Sequence, residues 1–109
     1  METMSDWQNI KISGIASIRK CVGEFEVGEL IKTPYSKFIV KVFEGSEGDF
    51  TGYTNLLVKD KDGTPYPGIG RGFNVEETLR NTILNFLEML DMKEIWHEDD
   101  FEIADPFDF

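Results

Sequence analysis

The last fifteen residues, IWHEDDFEIADPFDF, interleave aromatic rings with carboxylates. Leaving a large apolar side chain in water rather than burying it costs ~1.5–3 kcal/mol, so these rings need a surface to pack on. Two fates satisfy that need. The segment folds back on the domain as an extra strand, or it docks on a basic partner, with Phe rings as anchors and carboxylates for steering. The residues that we predict to contact a partner are Glu98, Asp99, Asp100, Phe101, Glu102, Asp105, Pro106, Phe107, Asp108 and Phe109.

A second candidate surface combines lysines with aromatic rings on two neighbouring predicted strands. Lys37, Lys41 and Phe43 share one face of the first strand, and Tyr53 and Lys59 share the same face of the next. Such a combination binds single-stranded nucleic acid, with ~1–3 kcal/mol for each base that stacks on a ring. Alternating lysines on a half-exposed strand also serve solubility and protect sheet edges, so both interpretations stay open.

The remaining chemistry-bearing residues are few. Cys21 is the only cysteine, which excludes an internal disulfide and a cysteine-rich zinc site. His97 is the only histidine and lies in the acidic end, where a histidine more often tunes a surface than catalyses. We therefore expect no enzyme activity, no metal and no cofactor.

A glycine-rich run precedes the predicted helix. Gly68, Gly70 and Gly72 follow a G-x-G-x-G spacing, whereas the dinucleotide fingerprint requires G-x-G-x-x-G in a parallel βαβ unit. Glu76 and Glu77, at the start of the helix, would also repel phosphate. We expect a twisted edge strand and a tight turn rather than a phosphate site.

The charge is concentrated at one end. The chain has 109 residues, with 21 acidic against 11 basic side chains and a net charge of −10. Residues 93–109 hold seven carboxylates and one lysine, a net charge of −6. This balance argues against non-specific nucleic-acid binding, because phosphate repels such a surface. The sequence contains no long apolar run and starts without a secretory signal, so we expect a cytoplasmic protein that does not enter a membrane.

The pattern predicts an α+β fold, an antiparallel β-meander of three to four strands packed against one C-terminal helix. A single domain over residues 1–92 would carry the acidic aromatic segment, residues 93–109. We expect residues 1–8 to be frayed and residues 10–22 to form a short helix or an edge strand. The predicted strands are Phe25–Lys32, Tyr35–Glu44, Phe50–Lys59 and the edge strand Pro65–Arg71, in which two prolines cannot donate ladder hydrogen bonds.

The predicted helix begins at an Asn74 cap and ends near Met92. In a capping box, the Asn74 side chain would accept from the N–H of Glu77, and Glu77 would reach back to the Asn74 amide. Apolar residues recur at steps of three and four and would pack on the inward strand residues. The predicted core is Phe38, Val40, Val42, Leu56 and Val58 with Val75, Leu79, Ile83, Phe86, Leu87 and Leu90.

The final residues EDDFEIADPFDF resemble the C-terminal tails of bacterial and phage single-stranded-DNA-binding proteins. Those tails are acidic, end in Pro-Phe or an aromatic residue, and are gripped by replication and repair proteins. By this resemblance, the gripped residues would be Asp105, Pro106, Phe107, Asp108 and Phe109. Here the helix leads almost directly into the tail, without the long linker usual in those proteins.

The strand-strand-strand-helix order, with GIGRGFNVEETLRNTILNFLEML at its end, is similar to the second half of double-stranded-RNA-binding-like domains. Those domains carry lysines at the helix start, and this chain has Glu76 and Glu77 there instead. The resemblance therefore concerns the fold and does not favour RNA binding through this helix.

The function that these features favour is binding of a nucleic-acid-processing protein by a non-catalytic acidic protein of phage or mobile-element type. It would act as a nucleic-acid mimic, in the manner of anti-CRISPR-like inhibitors, with carboxylates in place of phosphates and rings in place of bases. The alternative is a single-stranded-DNA-binding protein whose acidic tail recruits partners. Exposed strand edges also permit a homodimer.

Overall fold

The computed structural model describes residues 6–109 and confirms the α+β fold. Residues 1–5 of the predicted frayed start lie outside the described residues, and a short 3-10 helix spans Asp6–Asn9. The main elements are β1 (Arg19–Gly28), β2 (Lys37–Gly45), β3 (Phe50–Lys59), β4 (Pro65–Gly72), α1 (Val75–Leu90) and β5 (Phe101–Ile103). Within residues 6–109, no helix has the length and apolarity needed to cross a membrane.

The sheet is an antiparallel meander in the order β1-β2-β3-β4, with β5 added on β3. Every second residue from Phe38 to Val42 in β2 and from Gly52 to Val58 in β3 is buried on the side of α1, as the alternation predicts for the apolar residues among them. The buried apolar residues are Phe38, Val40, Val42, Leu56, Val58, Phe86, Leu90 and Phe101, with Val75, Leu79, Ile83 and Leu87 partly buried around them. The predicted core is therefore confirmed, and Phe101 is an addition to it.

The three glycines of the G-x-G-x-G run form the seat of the helix. Their spacing of two places them on one face of β4, directly beneath α1. A Cβ atom on Gly70 would overlap the backbone of α1 at Thr82, and one on Gly72 would lie 2.8 Å from the Thr78 nitrogen. The run is explained by this close approach of helix and strand, which only glycine permits.

The free edge of β4 is covered by the helix. The Asn85 side chain accepts a hydrogen bond from the N–H of Ile69 at 2.9 Å, and the Asn81 side chain donates to the Arg71 carbonyl at 2.7 Å. These groups face away from β3, so the asparagines satisfy donors and acceptors that a bare edge strand would offer to another chain. β4 is an edge strand, as predicted, and its edge is protected.

The first strand differs from the predicted one. β1 begins at Arg19 and ends at Gly28, whereas residues 29–32 form a loop and residues 10–18 form neither a helix nor a strand. The Glu29 carboxylate accepts hydrogen bonds from the N–H groups of Ile31, Lys32 and Thr33, which turns the chain away from the sheet. Burial acts to raise the pKa of Glu29, but these backbone N–H groups outweigh it and the pKa is lowered.

Helix α1 begins where the sequence predicts and ends two residues earlier. Asn74 accepts from the N–H of Glu77 at 2.7 Å, as predicted. The Glu77 carboxylate reaches the N–H of Phe73 at 2.7 Å, rather than the Asn74 amide that the capping box predicted. At the other end, the Lys32 ammonium donates to the Leu90 carbonyl at 3.1 Å, so a cation stabilises the negative end of the helix dipole.

Candidate partner-binding surface

The C-terminal segment, residues 93–109, is anchored to the domain by two of its aromatic residues. The indole of Trp96 donates to the Leu90 carbonyl at 2.8 Å and packs on Phe101, with ring centroids 5.4 Å apart. Phe101 is only 5% exposed and belongs to the core. Part of the segment therefore folds back on the domain, which is one of the two fates left open by the sequence.

β5 fills a gap that the meander leaves in the sheet. β2 pairs with β3 only from Val40↔Thr54 to Glu44↔Phe50, so the rest of that edge of β3 is open. β5 pairs there, with Phe101 opposite Val58. Asn55 stands at the junction: its side chain accepts from the N–H of Ile39 at 2.7 Å, and its carbonyl accepts from the N–H of Ala104 at 2.8 Å.

The turn that leads into β5 is held by Asp100. Its carboxylate accepts from the N–H of His97 at 2.8 Å and from the Lys93 ammonium at 3.1 Å. The hydrogen bond from His97 and the neighbouring Lys93 lower the pKa of Asp100. Asp100 thus serves the fold of its own chain.

A second turn follows β5 and fixes the last residues. The Asp105 carboxylate accepts from the N–H of Phe107 at 2.8 Å, and the Asp105 carbonyl accepts from the N–H of Asp108 at 2.9 Å. The Phe109 ring lies 4.5 Å from the Lys41 ammonium, which also donates to the Phe109 carbonyl at 3.3 Å. Between these two fixed points, the Phe107 ring is 93% exposed.

The carboxylates around Phe107 remain available. Within residues 6–109 the ion pairs are Lys32–Asp91, Lys37–Glu26 and Lys93–Asp100, so Asp100 is the one carboxylate of the predicted contact set that has an ion-pair partner there. We call the exposed members of the predicted set the acidic tail surface. They are Glu98, Asp99, Glu102, Asp105, Pro106, Phe107 and Asp108.

Three of the ten predicted contact residues lie outside that surface. Phe101 is buried in the core, so it anchors the segment and does not face a partner in the folded chain. Asp100 and Phe109 are half-buried and bind groups of their own chain. Identical residue types thus take opposite roles within nine positions, and nothing in their sequence spacing distinguishes them.

The lysine and aromatic face is on the side of the sheet opposite α1, and the structure brings three of its five predicted residues together. Phe43 and Tyr53 pack edge to face, with centroids 6.1 Å apart, and Lys41 lies opposite Tyr53 on the neighbouring strand. Lys37 and Lys59 each lie six residues away along their strands, ~20 Å from Phe43 and Tyr53 respectively. Lys37 is also paired with Glu26 at 3.3 Å.

Arg19 completes this cluster and was missed by the sequence analysis. Its guanidinium carbon lies 4.0 Å from the Phe43 centroid and 5.4 Å from that of Tyr53. The residue falls outside the predicted first strand, so no alternation pattern placed it on this face. Arg19 is placed on this face by the pairing of β1 with β2, which sets it opposite Gly45. The sequence of either strand alone does not reveal that pairing.

The acidic end of the chain lies beside this cluster and forms a groove with it. The groove has a volume of about 410 Å³. Its lining includes Arg19, Phe43 and Tyr53 of the cluster together with Asp108 and Phe109 of the acidic end. Carboxylates therefore lie where the phosphates of a nucleic acid would have to approach the cluster.

Comparison with known proteins found no match among protein-family models, curated proteins or solved structures. The likenesses of the tail and of the element order thus remain predictions from the sequence. The acidic tail surface and the Arg19 cluster are the features of the structure that bear on function.

Proposed function

We propose that this chain is a protein-binding module whose acidic tail surface occupies a basic site on a nucleic-acid-processing protein. The observation that carries the proposal is the position of Phe107. Its ring is 93% exposed, is held outward by the Asp105 turn and is flanked by two carboxylates, Asp105 and Asp108, that have no ion-pair partner within residues 6–109. An aromatic anchor at the centre of a charged rim is the arrangement found in binding hot spots.

The anchoring of the segment favours this use. β5 pairing, the buried Phe101 and the contact between Lys41 and Phe109 fix the backbone on both sides of Phe107. A surface that is ordered before binding loses less conformational entropy when it docks. The carboxylates of the acidic tail surface would attract a basic site over long range and speed the encounter.

The chemistry of a basic partner site suggests mimicry of a nucleic acid. Sites that bind nucleic acid present cations for phosphates and apolar surfaces for bases. In our proposal, Asp105 and Asp108 stand in for phosphates and Phe107 for a base. An inhibitor of this kind, of phage or mobile-element type and acting in the cytoplasm, would exclude nucleic acid from its partner.

The first prediction concerns Phe107→Ala. We expect this change to weaken binding to the partner roughly tenfold or more, because it removes the central apolar anchor. Proteins captured from a bacterial extract on the immobilised full-length chain, and released by a single-stranded oligonucleotide, are identified by mass spectrometry. Each is then measured against the wild-type chain and the variant.

The matched control is Phe73→Ala. Phe73 is also a phenylalanine with high exposure, 88%, but it lies before α1 and away from the acidic tail surface. Phe73→Ala should capture the same proteins as the wild-type chain. Capture that is equal for all three chains would contradict the proposal.

A second candidate function is binding of single-stranded nucleic acid by the Arg19 cluster. The observation in its favour is that Arg19, Lys41, Phe43 and Tyr53 combine two cations with two rings on one face. Two members of the cluster are already in contact with other groups: Arg19 covers the Phe43 ring, and the Phe109 ring lies on the Lys41 ammonium. Nucleic acid would therefore have to displace the end of the chain.

Removal of residues 105–109 tests this candidate. The deletion spares β5 and Phe101, so the anchored part of the segment is kept. Titration of a labelled single-stranded oligonucleotide at low salt should then show tighter binding than to the full chain, falling steeply as salt is added. Absence of binding both with and without residues 105–109 would reject nucleic-acid binding and favour mimicry.

A further inference from the structure

A second groove lies between the C-terminal end of α1 and the β3–β4 turn. Its volume is about 450 Å³. Tyr66, Met89, Met92 and Trp96 supply most of its apolar lining, and the Met92 side chain is 84% exposed. Large apolar side chains that stay open to solvent in this way offer a binding surface to an apolar ligand.

Cations surround this apolar floor. Lys59, Lys61 and Lys93 line the groove together with one acid, Asp60, in a chain whose net charge is −10. Lys93 is paired with Asp100, whereas Lys59 and Lys61 have no carboxylate partner within residues 6–109. The groove therefore suits a ligand that is both apolar and negatively charged.

We propose that this groove receives the Asp105–Phe109 segment of a second copy of the chain. Phe107 would insert between the methionines and Trp96, where sulfur–aromatic and ring contacts are favourable. Asp105 and Asp108 would face Lys59 and Lys61 on the rim. The protein thus carries a segment whose negative charge and apolar ring suit the groove.

In the described fold the segment lies away from the groove of its own chain. Phe101 lies opposite Val58, which lines the groove, and from there β5 runs antiparallel to β3 toward Asn55. The chain then continues to Lys41, which is opposite Tyr53. Val58 and Tyr53 are five positions apart along β3, ~17 Å, so the paired strand carries Phe107 away from the groove.

Docking of this kind is heterologous, because one copy contributes the Asp105–Phe109 segment and the other copy contributes the groove. Such contacts close into a ring when the rotation between copies permits it and otherwise continue as a chain. The inference does not depend on the proposed function, since it concerns two copies of this protein alone. A docked Phe107 would be unavailable to a partner, which links the two sites.

Sedimentation of the full-length chain over a range of concentrations tests the inference. The wild-type chain should self-associate, and Phe107→Ala should weaken that association roughly tenfold or more, while Phe73→Ala should leave it unchanged. The double variant Lys59→Glu/Lys61→Glu should weaken it similarly. Its charge-matched control is Lys11→Glu/Lys20→Glu, two exposed lysines outside the groove; this control carries the same added negative charge and should associate clearly more tightly than the groove variant.

A labelled peptide of residues 104–109 identifies the receiving surface. Its fluorescence anisotropy should rise when the wild-type chain is added and should stay low with Lys59→Glu/Lys61→Glu. A wild-type chain that is monomeric at every soluble concentration overturns the inference. So does self-association or peptide binding that the groove variant leaves unchanged. These outcomes leave the proposed partner binding untouched, because they involve no other protein.

Discussion

Phe101→Ala should lower the free energy of unfolding by ~3–5 kcal/mol, the usual cost of removing a buried phenylalanine ring. The ring is 5% exposed and packs on Trp96 within the core beneath β3. Loss of this ring would also free β5, which spans only three residues and has no other buried side chain. The acidic tail surface would then lose the anchor on its N-terminal side.

Urea unfolding followed by circular dichroism measures this effect. Phe107→Ala makes the same chemical change at a ring that is 93% exposed, and it should shift the free energy of unfolding by no more than ~0.5 kcal/mol. Equal stability of the two variants would mean that residues 101–109 do not fold back on the domain. The description of this segment as anchored to the domain, on which the proposed function rests, would then be wrong.

Gly70→Ala should destabilise the fold by ~3 kcal/mol, at the upper end of the usual cost of overpacking. The added methyl group would overlap the backbone nitrogen of Thr82 and lie 2.6 Å from the Asn81 carbonyl carbon. Neither atom belongs to a flexible side chain, so relief requires the whole of α1 to move away from β4. The core beneath the helix would open as it moves.

Gly28→Ala is the matched control for this second prediction. Gly28 also lies in a strand, and the nearest atom to an added Cβ, the Ser36 carbonyl oxygen, is 4.0 Å away. This variant should stay within ~0.5 kcal/mol of the wild type. Thermal and urea unfolding measure the stability of both variants. If Gly70→Ala and Gly28→Ala have the same free energy of unfolding, the helix does not lie as close to β4 as described, and the explanation of the glycine run fails.

The central strands and the helix could be predicted because burial there is periodic. β3 has the predicted bounds, and every second residue from Gly52 to Val58 is buried against α1. The helix follows from apolar steps of three and four between Val75 and Leu90. What the helix pattern did not reveal is the buried pair Thr78 and Thr82, whose hydroxyls donate to carbonyls four residues earlier and so become tolerable in the core.

The first strand was predicted out of place because its pattern is interrupted. A register shift between Cys21 and Gly23 breaks the alternation, so the pattern of residues 10–22 left a short helix and an edge strand both open. Leu30 and Ile31 appeared to extend the strand, but both side chains are exposed in the Glu29 turn. A bulge in one strand and the hydrogen bonds of one carboxylate decided the outcome, and neither leaves a periodic signal.

The fate of the C-terminal segment could not be read from its residues alone. Phe101 and Phe107 have similar acidic surroundings in the sequence, yet one is buried and the other is almost fully exposed. The difference arises from the length of β3 that β2 leaves unpaired, where β5 finds its place. One of the two fates is thus observed for half of the segment, which packs on the domain, while the other half is exposed to solvent.

The central claim is that the acidic tail surface competes with nucleic acid for a basic site. The most direct measurement is the apparent Kd of a captured partner for its nucleic acid at increasing concentrations of the full-length chain. We predict that this Kd rises in proportion to the concentration of the wild-type chain and of Phe73→Ala, and that Phe107→Ala raises it only at much higher concentration. A partner that binds the chain and its nucleic acid at the same time, with an unchanged Kd, would contradict the claim.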